Sequence, residues 1–365
     1  MTDRREFLFR SAQIALAGAA YSTARGAVAN PGIPGQFRGR VIELSHPGCI
    51  IQGKYQPATI QAMMRRGLTE LTGAPAWQDA WRMFFEKGDR VGIKVSPVGG
   101  PNLSSDESVL REIIAGLNAA GVPNRDIVVF SRYRREIVDA HIDKWLPKDV
   151  RWTAPAEQYD DIQLGMSGYD PDHYLDMALV QPGQNPNDAH NRRSYVAQVV
   201  TKDINKFINL PVLKHHQSAG VTIALKNMSH GMVNNVARSH TSPTLNACGS
   251  FIPAAVNLPV IRQKAVLHIV DGVKASYHGG PSGRPKFIWE HKTMYFATDP
   301  VAVDKVGWKA IEAKRAASGM APLLEAKPDA VSTFAHCQVE HIEIAGALGL
   351  GEFNDKKIQL KQIRL

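Results

Sequence analysis

Cysteine is scarce in this sequence: Cys49, Cys248 and Cys337 are the three in a chain of 365 residues. They lie far apart and form no Cys-x-x-Cys pair. A four-cysteine iron–sulfur cluster held by one chain is therefore excluded by count, and no such cluster is expected. One disulfide is allowed by number, with no pairing legible. Long hydrophobic runs are lacking too. The mild apolar stretch at residues 12–20 is too short to cross a bilayer, so no transmembrane segment is expected in the mature chain. Also missing are the Gly-Lys-Ser/Thr of a phosphate-binding loop, the dinucleotide fingerprint, the Gly-x-Ser-x-Gly elbow and His-Glu-x-x-His. No tract of lysine and arginine interleaved with aromatics occurs, which argues against nucleic acid as a partner.

What is present suits a globular chain. Apolar residues make up 44%, enough for a sizeable core. A net charge of +9 and a pI near 9.4 favour an anionic ligand or surface. Residues 3–8, with Arg4-Arg5 at their centre, resemble the twin-arginine export motif, and Ala27-Val28-Ala29 fits a small-residue cleavage site. Residues 1–29 are thus expected to be a signal peptide recognised by the twin-arginine export machinery. Residues 30–365 are expected to be a single exported or periplasmic domain.

Strand, helix and strand patterns at 91–95, 106–120 and 127–130 make a βαβ unit, with Ser104 or Ser105 as the helix cap and Gly121 as its stop. The fold class expected is α/β, a mostly parallel sheet flanked by helices in Rossmann-like βαβ units. Residues 147–195 lose clear periodicity and read as an irregular insertion. Further on, 265–270 reads as a strand ending at the turn Asp271-Gly272, and 292–297 as another. Asp299-Pro300 opens a helix to about Ser318, with Asp299 as its cap and Asp304 one turn inside.

The stretch 208–240 gathers the chemistry. It opens as a buried strand, and Lys214, His215 and His216 fall at its end. Ser218 reads as the cap of a helix over 219–228, stopped near Gly231. Groups that end a strand and open a helix sit where open α/β sheets place ligands, and free helix-start N–H groups favour an anion. Strand ends also carry polar residues merely because they lie at the surface, and each residue alone admits that reading. Lys94, Lys214, His215 and Asn227 are the expected substrate-binding groups. Lys226, His216 and Asp271 are the expected catalytic ones, although Asp271 is equally a turn former before Gly272. His230 and His240 can fold back as ligands of a divalent metal, yet two histidines without a carboxylate are a thin donor set.

Several motifs match one family in order. Gly92-Ile93-Lys94-Val95, Leu210-Pro211-Val212-Leu213-Lys214-His215, Ala224-Leu225-Lys226-Asn227, Asp271-Gly272, Gly279-Gly280-Pro281, Asp299-Pro300 and Leu348-Gly349-Leu350-Gly351 resemble the domain of unknown function 362 family. That resemblance implies an α/β fold and no agreed reaction. The ferredoxin-like segments of some relatives have no counterpart here. The order His216, Lys226, His240 is also similar to that of nickel-pincer lactate racemases, whose lysine anchors the cofactor and whose histidine binds the metal. The glycine-rich motif of those enzymes is absent. Two functions are then open: an exported enzyme acting on a small carboxylate or phosphate, with or without a metal, or a non-catalytic anion- or cofactor-binding or assembly protein using the same basic crevice.

Overall fold

The computed structural model of the chain describes residues 32–365, so the expected signal peptide lies outside the described residues. Ten strands form one sheet. They are β1 (Arg40–Ser45), β2 (Val91–Lys94), β3 (Ile127–Phe130), β4 (Arg151–Thr153), β5 (Lys206–Asn209), β6 (Val212–His216), β7 (Gly220–Thr222), β8 (Ala265–Ser276), β9 (Ile288–Ala297) and β10 (Gln359–Arg364). Their order is β10-β1-β9-β8-β5-β2-β3-β4, with β6 pairing β8 and β7. From β8 to β4 every neighbour is parallel. β9 runs antiparallel between β8 and β1. The fold is therefore α/β with a mixed, mostly parallel sheet.

Both faces of the sheet are apolar, as buried parallel strands require. In β3, Ile127 and Val129 join one core while Val128 and Phe130 join the other. The first core is covered by α1 (Pro57–Thr72), α2 (Trp77–Arg82) and α3 (Glu107–Ala119). α1 turns Ile60, Met63, Met64, Leu68 and Leu71 inward, the spacing of one helix face, and stops at Gly73. The second core is covered by α4 (Ala224–Met232), α5 (Cys248–Val256), α6 (Pro300–Ala317) and α7 (His341–Ala347).

Three departures from the sequence pattern bear on the site. β8 does not stop at Asp271-Gly272 but continues through a bulge between Gly272 and Lys274. α3 is capped by Asp106, whose carboxylate accepts the Ser108 N–H, and not by either preceding serine. The third matters most: Ser218 caps nothing. Residues Gly220–Thr222 instead pair antiparallel with Lys214–His216, and the helix starts only at Ala224.

Asp299 does cap α6, accepting N–H bonds from Val301 and Ala302, and it also receives those of Gly39 and Glu352. One carboxylate thus ties the first strand, the helix and the C-terminal segment together. Gly351 permits this, since a Cβ there would stand 1.9 Å from Asp299 Oδ1. Within the expected insertion, Arg151–Thr153 forms the edge strand β4, and Tyr169–Asp176 pairs with Arg193–Ala197. The buried Arg238 guanidinium donates to the carbonyls of Leu175, Met177 and Leu179, which pins this region to the segment after α4.

Candidate functional site

Lys94 is the last residue of β2, between Phe130 at the end of β3 and Asn209 at the end of β5. A cavity of about 230 Å³ opens beyond these carboxyl ends, the position where open α/β sheets hold ligands. β6 contributes Lys214 and His216, and α4 contributes Lys226, Asn227, His230 and Gly231, with His240 beyond it. The i,i+4 pairs Lys226/His230 and Asn227/Gly231 put those four on one helix side. Seven of the sequence-expected residues therefore line one space.

His215 and Asp271 do not. Side chains alternate along a strand, so Lys214 and His216 face the cavity and His215 turns to the other side. There His215 Nδ1 accepts the Gly280 N–H at 3.1 Å, with its ring 5.2 Å from His278. Asp271 is fully buried, bonded to the Tyr55 hydroxyl at 2.9 Å and the backbone N–H groups of Asp106 and Val273. Burial, aided by the Asp106 charge, pushes its carboxyl up to about 7. Neither residue lines the cavity.

The expected anion site at a free helix start is also corrected. The first N–H groups of α4, on Ala224 and Leu225, are bound by the Asp304 carboxylate at 2.6 and 3.0 Å. Asp304 is fully buried in α6, and the acid one turn inside that helix is thus the cap of a neighbouring one. The charge available to an anion must come from side chains.

The cations of the cavity differ in their ties. Lys94 Nζ donates to Ser131 Oγ at 3.3 Å and Asn227 Oδ1 at 3.1 Å, and Asn227 in turn donates to Asn209. Gly231 makes room for Lys94, because a Cβ there would lie 2.1 Å from Lys94 Cε. Lys214 Nζ donates to the Val98 carbonyl. Burial pulls Lys94 down to about 7 and Lys214 to about 8, and the Glu136 carboxylate opposes both shifts.

Lys226 is different. Burial lowers it to about 7, Glu136 does not act on it, and the upward pull comes from the Cys248 thiol. Its ammonium makes no hydrogen bond to any described residue. Among charged groups it bears most strongly on His216, His230 and His240, and burial keeps all three rings neutral, His240 down to about 3.

The rings are oriented from behind. His216 Nδ1 accepts the Ser218 N–H at 3.2 Å and has Ser218 Oγ at 3.0 Å, which leaves the ring proton on Nε2. The His216 and His240 rings stack with centroids 5.9 Å apart. His230 uses both ring nitrogens, 3.0 Å from the hydroxyls of Ser229 and Ser239. That removes it as a ready metal ligand, and among the described residues no group of three His, Cys, Asp or Glu side chains is arranged to hold an ion. As placed, the donor set does not fit a metal.

Sequence reasoning missed Ser131, Arg132, Glu136, Tyr159 and Thr222, all of which line the cavity. Ser131 and Arg132 directly follow the expected strand 127–130, so the strand-end rule applied to Lys94 would have found them. Among the described residues, Arg132 Nε and Nη1, Thr222 Oγ1 and His240 Nδ1 find no hydrogen-bond partner although buried. Such groups are costly when left unmet and point to something that meets them.

The family model described as "Domain of unknown function (DUF362)" matches residues 93–309. The chain belongs to that family. The matched span of this DUF362 chain runs from β2 into α6 and contains every cation of the cavity. No curated protein matches the chain in sequence. Among solved structures, the lactate racemase apoprotein from Thermoanaerobacterium thermosaccharolyticum aligns at 12% identity with a TM-score of 0.35, over 76% of this chain. The DUF362 chain spans 58% of that racemase, and a likeness of this size carries no argument about function.

Proposed function

We propose that the cavity binds a small carboxylate or phosphate and that the chain acts on it as an enzyme, by acid–base chemistry of Lys226, His216 and His240. The carrying observation is the excess of buried donors over acceptors. Lys94, Lys214, Lys226 and Arg132 converge with Glu136 as the one acid among the lining residues. Among the described residues Arg132 Nε and Nη1 find no partner and Lys226 makes no hydrogen bond, so an anion supplies what the protein leaves out. Lys94 and Lys214 are held by protein groups and set the field. Lys226 is not held, and with a pKa near the operating pH it can give or take a proton. His216 presents Nε2–H as a donor. Purely passive binding would need the charge but not an unpaired amine among neutral rings, and this favours the enzyme over the binding protein.

The test is calorimetry and thermal shift of the purified mature protein with acetate, propionate and inorganic phosphate, beside metal analysis. Saturable binding that Arg132→Met weakens at least tenfold is expected. Absence of binding by any of these anions sinks the reading. Export through Arg4-Arg5 is part of the same proposal. Replacing both by lysine should retain the protein in the cytoplasm, and an unchanged periplasmic yield removes that part.

A further inference from the structure

We propose that Lys226 is a covalent catalyst: its amine forms an imine with the carbonyl carbon of a small 2-oxo carboxylate whose carboxylate is held by Arg132, Lys94 and Lys214. The inference rests on the anion-binding reading and names its substrate class.

Three observations lead to it. The first is the contrast among the lysines. Lys94 is bonded to Ser131, Asn227 and the Val95 carbonyl, and Lys214 to the Val98 carbonyl, whereas Lys226, 5% exposed, makes no hydrogen bond or ion pair with any described residue. An ammonium buried in that way is disfavoured, and the neutral amine is the nucleophilic form. The second is its company. Imine formation moves protons twice, and Lys226 stands among three neutral rings, with His216 holding Nε2–H and His240 Nδ1 without a hydrogen-bond partner among the described residues. The third is the separate supply of anion donors. Arg132 carries unmet N–H groups, so the carboxylate can be held without consuming the Lys226 amine. A plain carboxylate or a phosphate would use the third feature alone. A 2-oxo acid uses all three.

The step balances without an oxidant or reductant. The Nζ lone pair attacks the carbonyl carbon, the C=O π bond breaks, and His216 Nε2–H supplies the proton to the oxygen. One proton leaves Nζ for a ring nitrogen, giving the carbinolamine. The Nζ lone pair then expels the hydroxyl, which takes the proton held on the ring nitrogen and departs as water, and the remaining Nζ proton returns to His216 Nε2, so that the C=N bond is left as the imine. In sum, amine and carbonyl become imine and water.

The experiment incubates the full-length protein with pyruvate or glyoxylate, adds borohydride, and maps the modified peptides by mass spectrometry. Calorimetry with propionate, which has the charge but no carbonyl, runs in parallel. The expected result is one carboxyethyl group from pyruvate, or one carboxymethyl group from glyoxylate, on Lys226 at near-stoichiometric yield. No adduct should form there without the oxo acid. Lys226→Met should lose the adduct while still binding propionate, which shows that its cavity is intact. His216→Ala should slow trapping by tenfold or more without moving the site of modification. Propionate binding with no trapped adduct on wild-type Lys226 overturns the imine and leaves the anion site standing. Binding of neither propionate nor the oxo acids overturns both.

Discussion

At the scale of single residues, the cavity is costly to maintain when empty. Lys226 is charged in the unfolded chain up to the ordinary lysine value of 10.5, whereas burial lowers it to about 7 in the folded one. Between those values the unfolded state binds more protons, so this residue's contribution to stability rises with pH and is most unfavourable below about 7. Lys226→Met removes that cost and keeps a side chain of similar reach. The ligand-free variant should therefore melt above wild type at pH 7, with the difference shrinking toward pH 10. Thermal melts across that range, in buffer free of small carboxylates and phosphate, measure it directly. A variant that melts lower at every pH would show Lys226 to be held by a structural partner. Gly231 has a related part, since the Lys94 stem occupies the space where its Cβ would be.

At the scale of elements, the sequence made most of the sheet legible and the start of α4 illegible. The βαβ unit around β2 and β3 could be read because its apolar periods and turn residues are local. Lys94, Lys214 and His216 followed from the rule that strand ends in such sheets meet ligands, whereas Lys226 and Asn227 came with a motif and His230 and His240 as groups folding back beyond the helix. The helix start could not be read, because Ser218 looks like a cap and the apolar run beyond it hides a change from strand to helix at Ile223. The true cap is Asp304, eighty positions away. His215 and Asp271 were misplaced for reasons of side-chain direction, one by strand alternation and the other by the bulge that carries β8 past it. Asp304→Asn tests the cap. One carboxylate oxygen becomes an amide facing a backbone N–H, which loses a bond and buries an unmet donor, at a cost of about 1–3 kcal/mol. A lower urea midpoint with unchanged slope is expected, together with weaker anion binding because the first turn carries Asn227, which holds Lys94. A midpoint equal to wild type would mean the two bonds contribute nothing.

At the scale of the whole molecule, the two cores clamp a parallel sheet whose carboxyl ends meet few backbone donors, because Asp304 has already consumed the N–H groups of the nearest helix. Recognition of an anion then depends on lysines and arginine, and lysines in a dry cavity titrate near neutrality. Of the two lysines that hold the anion, Lys94 sits at about 7 and Lys214 at about 8, whereas guanidinium groups in general stay charged through this range. A bound anion favours the charged lysines, so binding at pH 8 should take up protons, and affinity should fall as pH rises from 6.5 to 9. With Lys94 and Lys214, the two lysines that hold the carboxylate, losing charge, a drop of about tenfold is expected, levelling off where Arg132 alone remains. Calorimetry with propionate at pH 8, in two buffers of different ionisation enthalpy, reads the proton uptake as a difference in apparent heat. Equal heats and a flat affinity profile would mean that the lysines do not change charge when the anion binds, and that Arg132 holds it alone. Ligand-free stability has the opposite slope from these same groups over that window. An anion that protects most strongly at pH 6.5 and least at pH 9 would separate the charge of the cavity from any general loosening of the fold.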